Sequence, residues 1–174
     1  MTLRIIAGEA RGRRLSTPEG IEVRPTTSRV REAVFNSLHS QDCLEGADVL
    51  DLFAGSGALG LEAVSRGAAS ATFVESAPAA LAALKANIDV TGFNDRCRMV
   101  PGDVMKELPQ LGGGFDVALC DPPYGFDAWS ELLSQLPSDT VVAESDQAVE
   151  LGPDWDVVKQ RRYAGTVVVI ATRR

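Results

Sequence analysis

Little in this 174-residue chain suits a disulfide scaffold, a metal centre or a membrane span. Its three cysteines, Cys43, Cys97 and Cys120, are an odd number without metal-ligand spacing. Two fall in strand-like runs, where cysteine acts as a small hydrophobe. No apolar run approaches the roughly 18 residues of a membrane helix. Charged and polar residues break up the N-terminal stretch before any long apolar segment, unlike a secretory leader, so the cytoplasm is the expected location. Internal repeats and low-complexity tracts are missing as well. What is present is an ordinary soluble composition, 45% hydrophobic and 24% charged, at a length that suits one hydrophobic core.

The net charge of −7 would by itself argue against a nucleic-acid partner, but it is unevenly distributed. Residues 1–31 hold seven arginines (Arg4, Arg11, Arg13, Arg14, Arg24, Arg29, Arg31) against three acids, and Lys159, Arg161, Arg162, Arg173 and Arg174 follow without an acid among them. Both ends are basic and the middle is strongly acidic. The N-terminal arginines therefore suit either a solvated surface or a phosphate-binding one.

Leu3–Ala7 and Arg13–Thr17 flank a glycine-containing loop and read as a small β-hairpin. Thr26, Thr27 and Ser28 are candidate caps for a helix with Val30, Ala33, Val34 and Leu38 on its apolar stripe and Arg29, Arg31 and Asn36 off it. From residue 47 short apolar strands (47–52, 71–74, 98–100, 117–120, 140–143) alternate with helices near 58–66, 78–90 and 128–136, the pattern of a parallel α/β sheet. The runs 155–160 and 166–172, joined across Gly165, read as an antiparallel hairpin at one sheet edge. Residues 1–40 are accordingly expected to form an extension and residues 41–174 the main domain.

A strand ending in Asp51, followed by Phe53-Ala54-Gly55-Ser56-Gly57 and a helix, is a loop whose small residues let backbone amides approach a ligand. Gly55, Gly57 and Gly60 also satisfy a dinucleotide fingerprint, with Glu75 where a ribose-binding acid belongs, so a nicotinamide-dependent oxidoreductase is the rival reading. Three features oppose it: Asp51 would repel a pyrophosphate, a second acid (Asp103) ends the third strand region, and the sheet finishes in an antiparallel hairpin. S-Adenosylmethionine suits these acids better, because it carries an ammonium, a sulfonium and two ribose hydroxyls but no phosphate. Asp51 is expected near the amino-acid moiety, Glu75 on the ribose hydroxyls, and Asp103 with Val104 at the adenine.

Asp121-Pro122-Pro123-Tyr124 follows the apolar run 115–120 and so lies at the same carboxyl edge of the sheet. An amine conjugated to a ring is a poor nucleophile. The Asp121 carboxylate and Pro122 carbonyl can accept its two N–H groups and aim its lone pair, the paired prolines restrict those acceptors, and Tyr124 offers a stacking face. Orientation is the main gain, without metal or covalent intermediate. Cys120 suggests the different chemistry of covalent attack on a pyrimidine, which a buried strand position opposes.

With these motifs placed, the chain resembles the bacterial 16S ribosomal RNA guanine-N2 methyltransferases of the RsmD type. The resemblance runs through Arg4–Gly8 and Arg11–Leu15, Arg24–Glu32, Asp51–Arg66 and Asp121–Tyr124, the two arginine-rich segments being the most specific. It implies a Rossmann-like, seven-stranded class I methyltransferase sheet, mostly parallel, with an antiparallel C-terminal hairpin and a small N-terminal β-hairpin extension. It further implies methyl transfer to a guanine amine of 16S RNA within an assembling small subunit. DNA or another RNA would be the alternative substrate. Arg11, Arg13 and Arg14 would then grip phosphates, and Arg24, Arg29 and Arg31 would line the RNA approach to Tyr124. A monomer without metal or membrane contact completes the expectation.

Overall fold

Seven strands form one sheet in the order β3-β2-β1-β4-β5-β7-β6. This computed structural model describes residues 2–20 and 28–174. In chain order the elements are α1 (Ser28–Ser40), β1 (Asp48–Leu52), α2 (Ala58–Ser65), β2 (Ser70–Glu75), α3 (Pro78–Thr91), β3 (Cys97–Pro101), α4 (Val104–Glu107), β4 (Phe115–Cys120), α5 (Trp129–Gln135), β5 (Ser138–Ser145), β6 (Trp155–Tyr163) and β7 (Thr166–Arg173). Strands β1 to β5 are mutually parallel, while β7 is antiparallel to both β5 and β6. The Rossmann-like class I architecture is therefore present, with β6 at the edge and β7 inserted beside β5. Among the described residues no helix is long and apolar enough to cross a membrane.

The inner strands β1, β2, β4, β5 and β7 are largely apolar because both faces of the sheet are covered there, while the edge strands β3 and β6 are more exposed. On one face Val49, Phe73, Leu119, Val142 and Ile170 pack with α1, α2, α3 and the N-terminal Ile5, Ala10 and Leu15. On the other, Leu50, Val74, Ala118 and Val141 pack with α4 and α5 through Val104, Leu132 and Leu133. Helix α3 starts with Pro78 in its first turn and stops at Gly92, whose φ of 76° forms a left-handed cap.

The expected N-terminal hairpin is reduced to a single antiparallel bridge, Arg4 to Arg14, with Ile5 donating to the Arg13 carbonyl (3.0 Å) and Leu15 to that of Leu3 (2.9 Å). Several of its other amides go to α2. Ile6 and Ala7 donate to the buried Glu62 carboxylate at 2.9 and 3.1 Å, and Ala10 donates to Ser65 Oγ at 2.9 Å. A Cβ at Gly8 would lie 1.8 Å from the Ser65 carbonyl oxygen, so only glycine permits this approach. The extension is thus fastened flat against α2 rather than projecting from the sheet.

Candidate active site

The glycine loop and the Asp-Pro-Pro-Tyr segment leave neighbouring parallel strands. Leu52, the last residue of β1, pairs with Cys120, the last of β4, so Phe53 and Asp121 emerge side by side at the point where strand order reverses. The loops also touch. Phe53 meets Phe126 edge-on with ring centroids 5.3 Å apart, and Phe126 meets Trp129 at the same separation. Phe53 reaches this position with φ of 59°, a left-handed conformation that is strained for a non-glycine residue and recurs at ligand sites.

The glycine loop is closely determined. Ala54 donates to the Val74 carbonyl (3.1 Å) and Gly57 to that of Ala54 (2.8 Å). A Cβ at Gly57 would lie 2.3 Å from Leu84, and one at Gly60 would lie 2.4 Å from the Phe73 ring and 3.1 Å from Asp51 Oδ2. These two glycines let α2 close onto β2 and α3, whereas open space surrounds Gly55. Ser56 is buried, and its carbonyl accepts from Asn87 Nδ2 at 2.8 Å.

Three carboxylates stand at or just past the ends of β1, β2 and β3. Asp51 is 1% exposed and accepts the Gly60 amide at 2.9 Å. Burial pushes its pKa well above the ordinary carboxylate range, the Gly60 amide opposes that shift, and the nearby charges of Asp121 and Glu75 add to it. Glu75 accepts three backbone amides, Gly55 at 2.8 Å on Oε1 and Ser76 and Ala77 at 2.7 and 2.8 Å on Oε2. Of its roughly four lone-pair directions, the one left by this count is on Oε1. Asp103 caps the short α4, accepting the Lys106 amide at 3.2 Å, and Val104 behind it is buried.

In the second loop Asp121 is half-buried, Pro122 buried, and Tyr124 60% exposed. Phe126 donates to the Pro123 carbonyl at 3.2 Å and closes the turn. Cys120 is buried, and its thiol pKa is pushed far up by burial and then by Asp51 and Asp121. Those surroundings oppose a thiolate nucleophile.

Arg11, Arg13, Arg14 and Arg29 are exposed, while Arg24 and the candidate caps Thr26 and Thr27 lie outside the described residues. Arg31 departs from expectation. It is 3% exposed, donates to the Arg4 carbonyl at 3.1 Å and lies 3.7 Å from Glu62. It shares a helix face with Val34, Phe35 and Leu38, three to seven residues along, and Glu62 supplies the opposite charge that makes its burial tolerable. Burial lowers its pKa, Glu62 opposes this, Arg66 adds to the lowering and Glu144 opposes it. Arg31 therefore holds the extension to α1 and does not line an RNA path.

Three functional positions lacked a role in the sequence reading. Glu62 ties Ile6, Ala7, Arg66 (2.8 Å) and Arg31 together, and its signal is one acid inside an otherwise apolar helix. Asn87 is fully buried and bonds Ser16 twice, accepting its amide at 2.6 Å and donating to its carbonyl at 2.9 Å, in addition to Ser56. Its signal is an amide on the apolar face of α3. Phe126 was foreshadowed only by being an aromatic residue two positions beyond Tyr124.

Comparison with known proteins matches residues 3–172 to the family model described as Conserved hypothetical protein 95. The ribosomal RNA small subunit methyltransferase D of Escherichia coli K12 is 40% identical over 142 residues, covering 82% of this chain and 70% of the relative. That of Haemophilus influenzae is 32% identical over 179 residues, covering 91% and 88%. Among solved structures, that named "Putative methyltransferase yhhF from Escherichia coli" superimposes with a TM-score of 0.88 at 33% identity, covering 100% of this chain and 99% of that one.

Proposed function

This chain belongs to the Conserved hypothetical protein 95 family, the RsmD type of ribosomal RNA methyltransferases, and on that premise we propose that it methylates the exocyclic N2 amine of a guanine in 16S ribosomal RNA, with S-adenosylmethionine as donor. The observation that carries the reading is the meeting of the two loops, strand to strand at Leu52 and Cys120 and ring to ring at Phe53 and Phe126.

The residues fit the donor. Asp51, Glu75 and Asp121 raise the cost of negative charge in one crevice, which a ligand carrying an ammonium and a sulfonium relieves and a pyrophosphate would aggravate. Asp51 serves the amino-acid end, the backbone of Phe53, Ala54, Gly55, Ser56 and Gly57 the centre, and Asp103 with Val104 the adenine. The open acceptor direction on Glu75 takes one ribose hydroxyl directly. Accepting the second on Oε2 requires an exchange with the Ser76 or Ala77 amide. When bound, the donor supplies an electrophilic methyl group on sulfur.

The chain's own work is to prepare the acceptor. Asp121 and the Pro122 carbonyl accept the two N–H groups of the amine, drawing nitrogen from planar towards pyramidal geometry so that its lone pair points at the incoming carbon. Pro122 and Pro123 stiffen those acceptors, and Tyr124, 60% exposed, stacks on the base. The proton lost from the methylated amine passes to water or to Asp121. A guanine within a helix cannot reach this turn, so the target is a loop or flipped base, held by phosphate contacts from Arg11, Arg13, Arg14 and Arg29.

A tritium-methyl assay on naked 16S RNA, assembled small subunits and duplex DNA tests the reading, with calorimetric titration of S-adenosylhomocysteine and NAD. Label in guanine N2 of RNA, with heat from the first ligand alone, is expected. Label confined to DNA, or binding of NAD instead, overturns it.

A further inference from the structure

The acid-free run from Lys159 to Arg174 separates into two groups by what its cations touch. Arg173 donates to the Leu136 and Ser138 carbonyls and lies over the Trp155 ring at 4.4 Å, while Arg174 pairs with Asp156 at 2.6 Å. Both sit near the start of β5, since Thr172 pairs with Thr140, at the margin of the sheet away from the loops. Lys159, Arg161 and Arg162 form no ion pair among the described residues.

Strand β6 is antiparallel to β7, which is antiparallel to β5, so β6 runs in the direction of β1 and β4. Its end at Arg161, Arg162 and Tyr163 therefore reaches the margin where the two loops open. Sheet order places it three strands from β4, which at ~4.8 Å per strand is ~14 Å to the side of Asp121. A register shift between Val157 and Lys159 inserts Val158 as an extra residue. As a result Lys159 and Arg161 face the α1 side, lining a groove with Ala33, Val34 and Tyr163, while Arg162 points to the other face.

We infer that Lys159, Arg161 and Arg162, at the catalytic end of β6, form a second phosphate-binding strip that holds the RNA strand a few nucleotides from the target base. The inference rests on the ribosomal RNA reading above. An anionic backbone fits because the strip has no acidic partner among the described residues, straddles both faces of one strand end and opens at the same sheet margin as the loop bearing the exposed Tyr124, within a chain of net charge −7.

The test compares the parent with Arg161→Gln/Arg162→Gln and with the triple variant that adds Lys159→Gln. It measures KM for naked 16S RNA over a range of salt, together with S-adenosylhomocysteine affinity. The expected result is a raised KM at fixed salt and a log–log salt slope shallower by about 0.7 for each phosphate that is no longer neutralised, with S-adenosylhomocysteine affinity and kcat unchanged. Arg174→Gln, which removes a single charge at the far margin, leaves the slope as it was. An unchanged slope in the triple variant, or an equal drop per charge removed in Arg174→Gln, overturns the strip alone. A rise in KM on assembled subunits but not on naked RNA also overturns it, by moving the contact to a protein. A parent that binds S-adenosylhomocysteine yet methylates no RNA overturns the functional reading as well.

Discussion

The two loops of the crevice are built on opposite plans. The glycine loop is restrained throughout: Gly57 and Gly60 admit no side chain, Gly55 donates to Glu75, Ser56 accepts from Asn87, and Asp51 holds the first turn of α2. The Asp-Pro-Pro-Tyr turn stiffens through its prolines and its Phe126 contact, but leaves Tyr124 60% exposed. A small donor can be met by a preorganised cradle. A base arriving on a long polymer needs an open platform, and the rigidity there is confined to the acceptors that must aim one nitrogen.

The sharpest way to break this contrast is Asp121→Ala. Methyl transfer should fall by more than about 100-fold, the cost of a misplaced reacting atom, while S-adenosylhomocysteine affinity measured by calorimetry stays within a few-fold. A parallel loss of cofactor affinity would erase the division between the loops. Tyr124→Ala should weaken RNA binding by about 1–3 kcal/mol in a filter assay and leave the melting temperature unchanged, because so much of the ring is in solvent.

Gly60→Ala should do the reverse, lowering stability by about 1–3 kcal/mol and weakening S-adenosylhomocysteine binding while RNA affinity persists. Intact cofactor binding in that variant would show the cradle to be looser than its packing implies. The mildest effect is in pH. Asp51 must be ionised to attract a cationic donor, and its pKa lies well above the usual ~3.9, so affinity should decline on acidification before ordinary carboxylates titrate, by at most about tenfold per pH unit. Asp51→Asn should flatten that dependence.

The strands were legible because a sheet covered on both faces demands apolar runs, and Asp51 and Asp121 were legible because each ends such a run. Strand order was not, since nothing local says that β7 inserts between β5 and β6. The extension was legible only in part for a related reason. The small hairpin keeps one bridge, Arg4 to Arg14, but nothing local says that Ile6 and Ala7 give their amides to Glu62, a partner 55 or 56 residues away. Arg31 misled because charge argues for water, and only the distant Glu62 makes its burial tolerable. Long-range polar pairing of this kind leaves no periodic trace.

Asn87 has a consequence for how the molecule can be cut. One carboxamide grips the segment bearing the arginines at Ser16 and the cradle at Ser56, so the two share a single hinge pin. A chain trimmed past Ser16 would keep every side chain assigned to the donor and still lose their alignment.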